Sequence, residues 1–432
     1  MHTYLPLVAT ALLGLRVSPT AAATASLATA SIVDLSAELQ YSDHHNVSPG
    51  AEALLDAIGS SSDNIRTVLV LEHGKIAMSY VRDDIDASGL YSIYSATKSW
   101  MSLIVGMLID EGSLSLDETL GDVFDSNDSS IWPNVAEAEY MQSVTIEELL
   151  TMTSGLTDPP FSSESYSDID WQDPTSSVED LGGMHNYGGA NLIDSLNYLD
   201  VAGTRGEFGY VLTSQIVGYV VLEKSGQTPK EFASERIFPL IGIAPDEIEW
   251  DENDDGMQHS FTGLRLNAYQ MARFGQLFLQ RGLASSDSRV ISEEYVEQSL
   301  STQVDASNMS YGYLFWKIDG AMMGMGSMDC AIGLGGQTIC INDEVDRVSV
   351  LQMDIGLSES EYGMTMFRLA LSAFSPATSF EGDEDGEETS SGGEANDSAG
   401  DDDTSDSSTI QLSFGPLLLA VIFSLFVDRW TT

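Results

Sequence analysis

Apolar and polar residues alternate over two short runs near the start of the chain. The stretch "RTVLVLEHGKIAMSYVRD" (66–83) carries two runs of β type around the polar "EHGK", which predicts a β-hairpin. The next stretch, "SATKSWMSLIVGMLIDEG" (95–112), has apolar residues at helical spacing and ends in glycine, which predicts a helix. The pattern therefore predicts a strand pair followed closely by an apolar helix.

Helical periodicity dominates the middle of the chain, from about residue 113 to 280. The clearest helical segments are "TIEELLTM", "SQIVGYVVLEKSG", "TPKEFASERI" and "NAYQMARFGQLFLQRG". The section 311–354, from "YGYLFW" to "DRVSVLQMD", is strand-rich, and "YGMTMFRLALSAF" (362–374) predicts a closing helix. Strands at both ends with helices between them predict one sheet assembled from both ends of the unit, with a helical insertion.

Both termini differ in composition from the globular unit, which we place at residues 31–375. Residues 1–30 combine an apolar run with small residues, as in a secretory signal peptide; an organelle-targeting or disordered leader is the alternative. Residues 376–409 predict a disordered acidic linker. The apolar segment 410–427 is either a transmembrane anchor or part of a lipid-anchor signal. We therefore expect an extracytoplasmic protein, secreted or tethered to a membrane.

The charge balance excludes some classes of partner. The chain of 432 residues has 67 acidic and 17 basic residues, a formal net charge of −50. This charge argues against nucleic acid and against anionic membrane surfaces as binding partners. The sequence implies no metal and no cofactor, and it leaves the oligomeric state open.

Two features depend on the cellular compartment. Cys330 and Cys340 would form a disulfide bond in a secreted chain, with two buried free thiols as the alternative. If a eukaryotic secretory pathway makes the protein, the four N-x-S/T sequons predict a glycoprotein. They begin at Asn46, Asn127, Asn308 and Asn396.

Ser95 and Lys98 lie three residues apart in "SATKSW". If Ser95 opens the predicted helix, the two side chains share one face. A serine hydroxyl becomes a good nucleophile when a neighbouring base takes its proton, and a lysine is such a base only if its pKa is lowered. The apolar residues that follow Lys98 would lower its pKa by burial. On these residues alone, a helix-capping serine beside a solvated lysine stays as the alternative.

Five segments in the same order resemble the serine β-lactamase and penicillin-binding-protein superfamily, over roughly residues 65–375. The branch of carboxylesterases and 6-aminohexanoate-oligomer hydrolases is the most similar part of it. The segments are "SATKSW", "TIEELLTMTSGL", "FTGLRLNAYQMARFGQLFLQRG", "YGYLFW" and "GLGGQTICIN". The resemblance implies an α+β fold of the β-lactamase type, with an antiparallel sheet flanked by helices and a largely helical inserted subdomain.

The resemblance also implies a catalytic set. It makes Ser95 the nucleophile and Lys98 the base of the S-x-x-K motif. Tyr210, in "GEFGYVLTSQ", would share the proton relay between the serine and the leaving group. The family's polar residue two positions after this tyrosine is missing here, and Thr213 or Ser214 would stand in for it.

The third family motif, Lys-Thr-Gly in β-lactamases, is replaced by Leu334-Gly335-Gly336. A leucine does not bind a substrate carboxylate, whereas the glycines allow the backbone to approach a substrate closely. The N–H groups of Ser95 and Gln337 are then expected to form the oxyanion hole. The change favours uncharged esters or amides over penicillins and D-Ala-D-Ala peptides.

Together these features predict a serine hydrolase that cleaves a small-molecule ester or amide through an acyl-enzyme on Ser95. The alternatives are a catalytically silent scaffold or surface-binding protein of the same fold, since a fold does not fix an activity, and a D-amino-acid peptidase or β-lactamase.

Overall fold

The computed structural model describes residues 32–47, 55, 65–159, 188–211, 214–306, 309–318 and 327–354. The strands in this part of the chain are β1 (Ile65–Glu72), β2 (Lys75–Val81), β3 (Tyr91–Ser92), β4 (Leu156–Thr157), β5 (Asp200–Val201), β6 (Glu249–Trp250), β7 (Leu264–Leu266), β8 (Leu283–Ser285), β9 (Ser288–Arg289), β10 (Val304–Ala306), β11 (Met309–Tyr311), β12 (Trp316–Ile318), β13 (Met328–Gly333), β14 (Gln337–Asn342) and β15 (Arg347–Met353). The helices are α1 (Thr97–Asp110), α2 (Leu120–Val123), α3 (Ala138–Ser143), α4 (Ile146–Thr151), α5 (Leu192–Tyr198), α6 (Ile216–Ser225), α7 (Pro229–Arg236), α8 (Ala268–Leu279) and α9 (Glu293–Leu300).

Strands from both ends of the described chain meet in one sheet. Its eight strands have the order β10-β11-β12-β13-β14-β15-β1-β2, and every pairing between them is antiparallel. The hairpin β1–β2 thus completes a sheet whose other six strands follow residue 303. The predicted sheet from both ends of the unit, with helices inserted between, is confirmed.

Strand β1 is buried on both faces, which explains its nearly continuous apolar sequence. Leu69 and Leu71 belong to the main hydrophobic core, whereas Val68 and Val70 belong to a second cluster. Since successive side chains of a strand point to opposite faces, the sheet is covered on both sides here. The predicted hairpin is confirmed, with His73 and Gly74 forming its turn.

Helix α1 is apolar on all sides and almost completely buried, as expected of a helix in the middle of a core. Trp100 stacks on Phe274 of α8, with ring centroids 4.3 Å apart. In the next turn position of α8, Gly275 packs against the sheet so closely that a Cβ there would lie 2.5 Å from Val348. Helix α8 therefore links α1 to the sheet without space for a larger residue at position 275.

The four helical segments that the sequence predicts in the middle of the chain form α4, α6, α7 and α8. Three of these helices begin with a capping box, in which the N-cap side chain and the residue three positions later bind each other's backbone N–H. The pairs are Thr145/Glu148 in α4, Thr228/Glu231 in α7 and Asn267/Gln270 in α8. These caps fix where the helices start, and hence the loops that precede them.

Several predictions concern segments outside the described residues. They are the leader 1–30, the closing helix 362–374, the acidic linker 376–409, the apolar segment 410–427, and the sequons at Asn308 and Asn396. Within the described ranges, no helix has both the length and the apolar character needed to cross a bilayer.

Cys330 and Cys340 lie opposite each other on β13 and β14 and are joined by a disulfide bond. Both side chains are buried. The bond clamps the hairpin whose turn carries Leu334, Gly335 and Gly336. It therefore fixes the strand register next to the segment that resembles the third family motif.

We expect this disulfide to contribute about 2–3 kcal/mol to the free energy of unfolding, the loop-entropy contribution for a bridge that closes about ten residues. Urea unfolding of the native protein, with and without a reductant, measures this contribution. The Cys330→Ala/Cys340→Ala double variant should unfold at the same urea concentration as the reduced native protein. An unchanged midpoint after verified reduction would show that strand pairing alone holds the hairpin.

Candidate active site

Ser95 lies on a short 3₁₀ turn, Tyr94–Ala96, between β3 and α1. Its side chain is partly exposed, whereas the helix that follows is buried. Helix α1 begins at Thr97, so Ser95 lies just before the helix rather than in its first turn. This position leaves the hydroxyl accessible and places it at the positive end of the helix dipole, where negative charge on oxygen is stabilised.

Lys98 lies in the first turn of α1, and only 1% of its surface is exposed. Its Nζ is 3.4 Å from Ser95 Oγ and donates a hydrogen bond of 3.3 Å to the carbonyl oxygen of Phe261. The same nitrogen lies over the rings of Tyr210 and Phe261, 5.1 and 5.6 Å from their centroids. The alternative interpretation, a solvated surface lysine, is therefore wrong.

The burial of Lys98 changes its acid–base behaviour. Loss of hydration disfavours the ammonium and lowers the pKa of Lys98 to about 7. The negative charge of Asp158 acts in the opposite direction but does not cancel this effect. A large fraction of Lys98 is thus a neutral amine at neutral pH, which is the form that accepts a proton from serine.

Tyr210 reaches the same point from a segment without regular secondary structure, between β5 and α6. Its hydroxyl is hydrogen-bonded to Ser95, and burial raises the pKa of Tyr210 to about 12 against this hydrogen bond. The phenol is therefore protonated at neutral pH. Of the two groups that contact Ser95, Lys98 is the available base and Tyr210 is a proton donor.

The turn between β13 and β14 approaches the Ser95 segment through its backbone. Gly333 ends β13 so close to the 3₁₀ turn that a Cβ on it would lie 2.0 Å from Ile93 O. Gln337 begins β14 directly opposite Gly333, and its side-chain amide donates to Met353 O at 2.8 Å. That side chain is used inside the sheet, which leaves the backbone of Gln337 as the part that faces this turn's function.

Leu334 is 45% exposed, one of the few large apolar side chains on the described surface. Gly335 and Gly336 follow it with φ of +72° and +93°, conformations that favour glycine. The turn thus presents an apolar side chain where β-lactamases have a lysine. No charge on Leu334 is available to bind a substrate carboxylate.

Sequence reasoning missed three neighbours of the predicted catalytic residues. The carbonyl oxygen of Phe261 binds Lys98, the charge of Asp158 acts on both Lys98 and Tyr210, and Trp316 stacks on Tyr210. Asp158 follows the "TSGL" segment and Trp316 ends "YGYLFW", so both lie beside recognised motifs. A backbone carbonyl has no signal in a sequence.

The polar partner of Tyr210 is not settled by the residues predicted to stand in. Thr213 lies outside the described residues. Ser214 is buried, and its hydroxyl has no hydrogen-bond partner in the described part of the chain. In the same ranges, no group of three or more His, Cys, Asp or Glu residues is placed to hold a metal ion.

Comparison with known proteins gives the same picture. The family model "Beta-lactamase" matches residues 63–360 of the chain. A protein from Bacillus anthracis described as a 6-aminohexanoate-dimer hydrolase superimposes with a TM-score of 0.60 at 17% identity, covering 79% of this chain and 88% of its own. At such low identity the superposition shows a shared fold.

Two further solved structures are similar over most of their length. EstCE1, a hydrolase with promiscuous acyltransferase activity, has a TM-score of 0.56 at 13% identity and covers 75% of this chain and 98% of its own. A family VIII carboxylesterase has a TM-score of 0.51 at 14% identity and covers 78% of this chain and 99% of its own.

Proposed function

Because the chain belongs to the beta-lactamase family and brings Ser95, Lys98 and Tyr210 into contact, we propose that it is a serine hydrolase. Its substrate is a small-molecule ester or amide, cleaved through an acyl-enzyme on Ser95. The observation that carries the proposal is the buried Lys98 amine, 3.4 Å from a partly exposed serine hydroxyl. A buried lysine costs stability, so a structural role alone does not account for it.

In the first half of the reaction, Ser95 Oγ bonds to the substrate carbonyl carbon while its proton passes to Lys98 Nζ. The carbonyl oxygen becomes an oxyanion, which the N–H groups of Ser95 and Gln337 are proposed to bind. The carbon–leaving-group bond then breaks. The departing alcohol or amine takes a proton from Tyr210, which is refilled from the Lys98 ammonium.

In the second half, water attacks the acyl group on Ser95 and gives its proton to the neutral Lys98 amine. The tetrahedral intermediate expels Ser95 Oγ, which regains a proton, and the carboxylic acid leaves. The Phe261 carbonyl and the rings around Lys98 fix the position of the amine during both steps.

The third-motif turn supports uncharged substrates. Leu334 supplies an exposed apolar contact and no positive charge, and Asp158 adds a negative charge near Lys98 and Tyr210. A carboxylate on the substrate would therefore meet repulsion in place of the attraction that a lysine provides. A neutral p-nitrophenyl butyrate should be a better substrate than the equally long p-nitrophenyl half-ester of succinic acid.

Location outside the cytosol is part of the same proposal. The Cys330–Cys340 disulfide supports it, because such bonds persist mainly in oxidising compartments. The tether to a membrane through residues 410–427 is a prediction from the sequence alone.

The test of the proposed function uses the full chain, a fluorophosphonate probe, the two p-nitrophenyl esters and a chromogenic cephalosporin. We expect ester turnover, and covalent labelling that mass spectrometry locates on Ser95. Cephalosporin turnover alone would instead indicate a β-lactamase. A folded protein that neither turns over any substrate nor becomes labelled would be a silent scaffold, and the proposal would be wrong.

The pH dependence of the activity should follow Lys98. Only the neutral amine accepts the serine proton, so kcat/KM is low below pH 7 and rises with pH through the Lys98 pKa of about 7. The phenol of Tyr210 stays protonated until about pH 12, so it causes no loss of activity in the ordinary alkaline range. A pH profile of ester hydrolysis measures both limits.

The variant Asp158→Asn checks the assignment of the acidic limb. Removing the carboxylate charge takes away a stabilisation of the Lys98 ammonium, which lowers the Lys98 pKa further. The acidic limb should therefore move to lower pH, with the plateau still reached. A limb that stays in place, or moves upward, would show that another group controls the rise.

A further inference from the structure

The main chain around Tyr210 does little to orient its phenol ring. The segment 202–211 contains neither helix nor strand. Its backbone is attached to the end of α4 through a hydrogen bond of 2.9 Å from Gly209 N to Met152 O. The direction of the ring therefore depends on the side chains packed against it.

Trp316 is the main ring in contact with Tyr210. The two rings stack with centroids 5.4 Å apart and planes inclined by 28°. Tyr311 stands perpendicular to the phenol at 6.4 Å, and it also packs against Trp316 at 4.8 Å. Phe208, two residues before Tyr210, contacts both Tyr311 and Trp316 at 5.2 and 5.7 Å. The indole of Trp316 thus touches the other three rings of this aromatic cluster.

The cluster is attached to a rigid part of the fold. Trp316 and Tyr311 are cross-strand partners on β12 and β11. Trp316 is also opposite Cys330, which carries the disulfide to β14. Two rings from an irregular segment, Phe208 and Tyr210, therefore lie on two rings whose positions the sheet and its disulfide fix.

The position of the Tyr210 hydroxyl matters because the proposed mechanism passes a proton through it. Proton transfer requires hydrogen-bond distances, and a displacement of about 1 Å at a reacting group costs on the order of 100-fold in rate. The Tyr210 hydroxyl contacts Ser95, and its ring also lies under Lys98 Nζ. A rotation of this ring would break both contacts together.

We propose that Trp316 is a positioning residue, whose indole holds the Tyr210 phenol in the orientation that contacts Ser95. This inference rests on the proposed hydrolase function. It assigns Trp316 no contact with the reacting atoms, and it makes the β11–β12 hairpin part of the catalytic machinery through Tyr210.

A double-mutant cycle on the full chain tests this role, because two residues that act through one contact give non-additive losses. The variants are Trp316→Ala, Tyr210→Phe and the two combined, assayed for kcat and KM on p-nitrophenyl butyrate. We expect Trp316→Ala to lower kcat about 100-fold, with KM changed less than threefold. In the Tyr210→Phe background, which lacks the hydroxyl, the same change should lower kcat by less than about threefold.

Two further variants separate positioning from general damage. Trp316→Phe keeps a ring for stacking and should retain at least about a third of the native kcat. Trp132→Ala removes another buried tryptophan, whose indole N–H donates to Asp125 O at 2.9 Å, and should lower stability without lowering kcat in the folded fraction.

The outcomes have separate meanings. An equal loss of kcat in both backgrounds, or a loss carried by KM, would overturn the positioning role in favour of a direct substrate contact or a packing effect. The same loss in Trp316→Phe would also overturn it. A native protein that is not acylated at Ser95 would instead overturn the proposed function, and the role of Trp316 with it.

Discussion

Replacement of Ser95 by alanine is expected to lower ester turnover by at least about 10⁴-fold, the order of loss that follows removal of a nucleophile. The hydroxyl is the only atom in the proposed mechanism that bonds to the substrate, and neither Lys98 nor Tyr210 replaces it. The fold should stay intact, because Ser95 is partly exposed on a turn and its side chain contacts only the catalytic neighbours. Initial rates and thermal unfolding of the purified variant measure both quantities.

Ser99, one turn further along α1, provides a matched control with the opposite expected result. Its hydroxyl is buried and donates a hydrogen bond of 2.6 Å to Leu314 O. Ser99→Ala should therefore lower the free energy of unfolding by about 1–2 kcal/mol, because it leaves a buried carbonyl without its donor. Its kcat should stay within about threefold of native. Turnover that survives in Ser95→Ala would show that another residue performs the reaction.

Lys98→Met should lower kcat at least about 1,000-fold while making the protein more stable. Methionine fills most of the space of the lysine stem but accepts no proton, so Ser95 loses its base. The same change removes an ionisable group from a site where 1% of the residue is exposed. A catalytic group that opposes folding is the opposite of a structural salt bridge, so the two measurements together identify its role.

The pH dependence of stability follows from the lysine pKa, which falls from its ordinary 10.5 to about 7 on folding. Below pH 7 the folded protein either keeps an ammonium in an apolar site or gives up its proton, and this penalty has its full size. The penalty fades as the pH rises from 7 towards 10.5, where the unfolded chain also loses the proton. At about 1.4 kcal/mol per pKa unit, the upper limit is about 5 kcal/mol.

Urea unfolding at pH 6 and at pH 10 measures this contribution. The Met variant should exceed the native protein in stability at pH 6 by several kcal/mol, and the difference should nearly disappear at pH 10. A native protein as stable as the Met variant at pH 6 would mean that Lys98 is hydrated in solution. The proposed base would then be wrong as well.

Local patterns were sufficient to predict the elements that carry the site. The hairpin of β1 and β2, the apolar helix α1 and the capped helices in the middle each depend on residues a few positions apart. The family resemblance also held, since a beta-lactamase model matches residues 63–360. The antiparallel sheet from both ends of the chain followed from this resemblance and from the order of the segments.

The environment of Lys98 was beyond the sequence for a physical reason. Its hydrogen-bond acceptor is a backbone oxygen 163 positions away, and such an atom is the same in every residue type. The cross-chain stacking of Trp316 on Tyr210 likewise depends on where the sheet brings an irregular segment. The sequence shows which residues have the right chemistry, whereas tertiary packing decides which of them meet.

The position of β1 between β2 and β15 has a consequence for how the molecule is made. Glu72 pairs with Arg347, so one neighbour of the first strand emerges 275 residues later. Closing so long a loop is slow compared with forming a local hairpin, and it comes late in synthesis. Every polypeptide that stops before β15 has an open strand edge on β1 and a second on β14. Such a fragment contains Ser95, Lys98 and Tyr210 but exposes two sites for pairing with other chains, so aggregation is its expected fate.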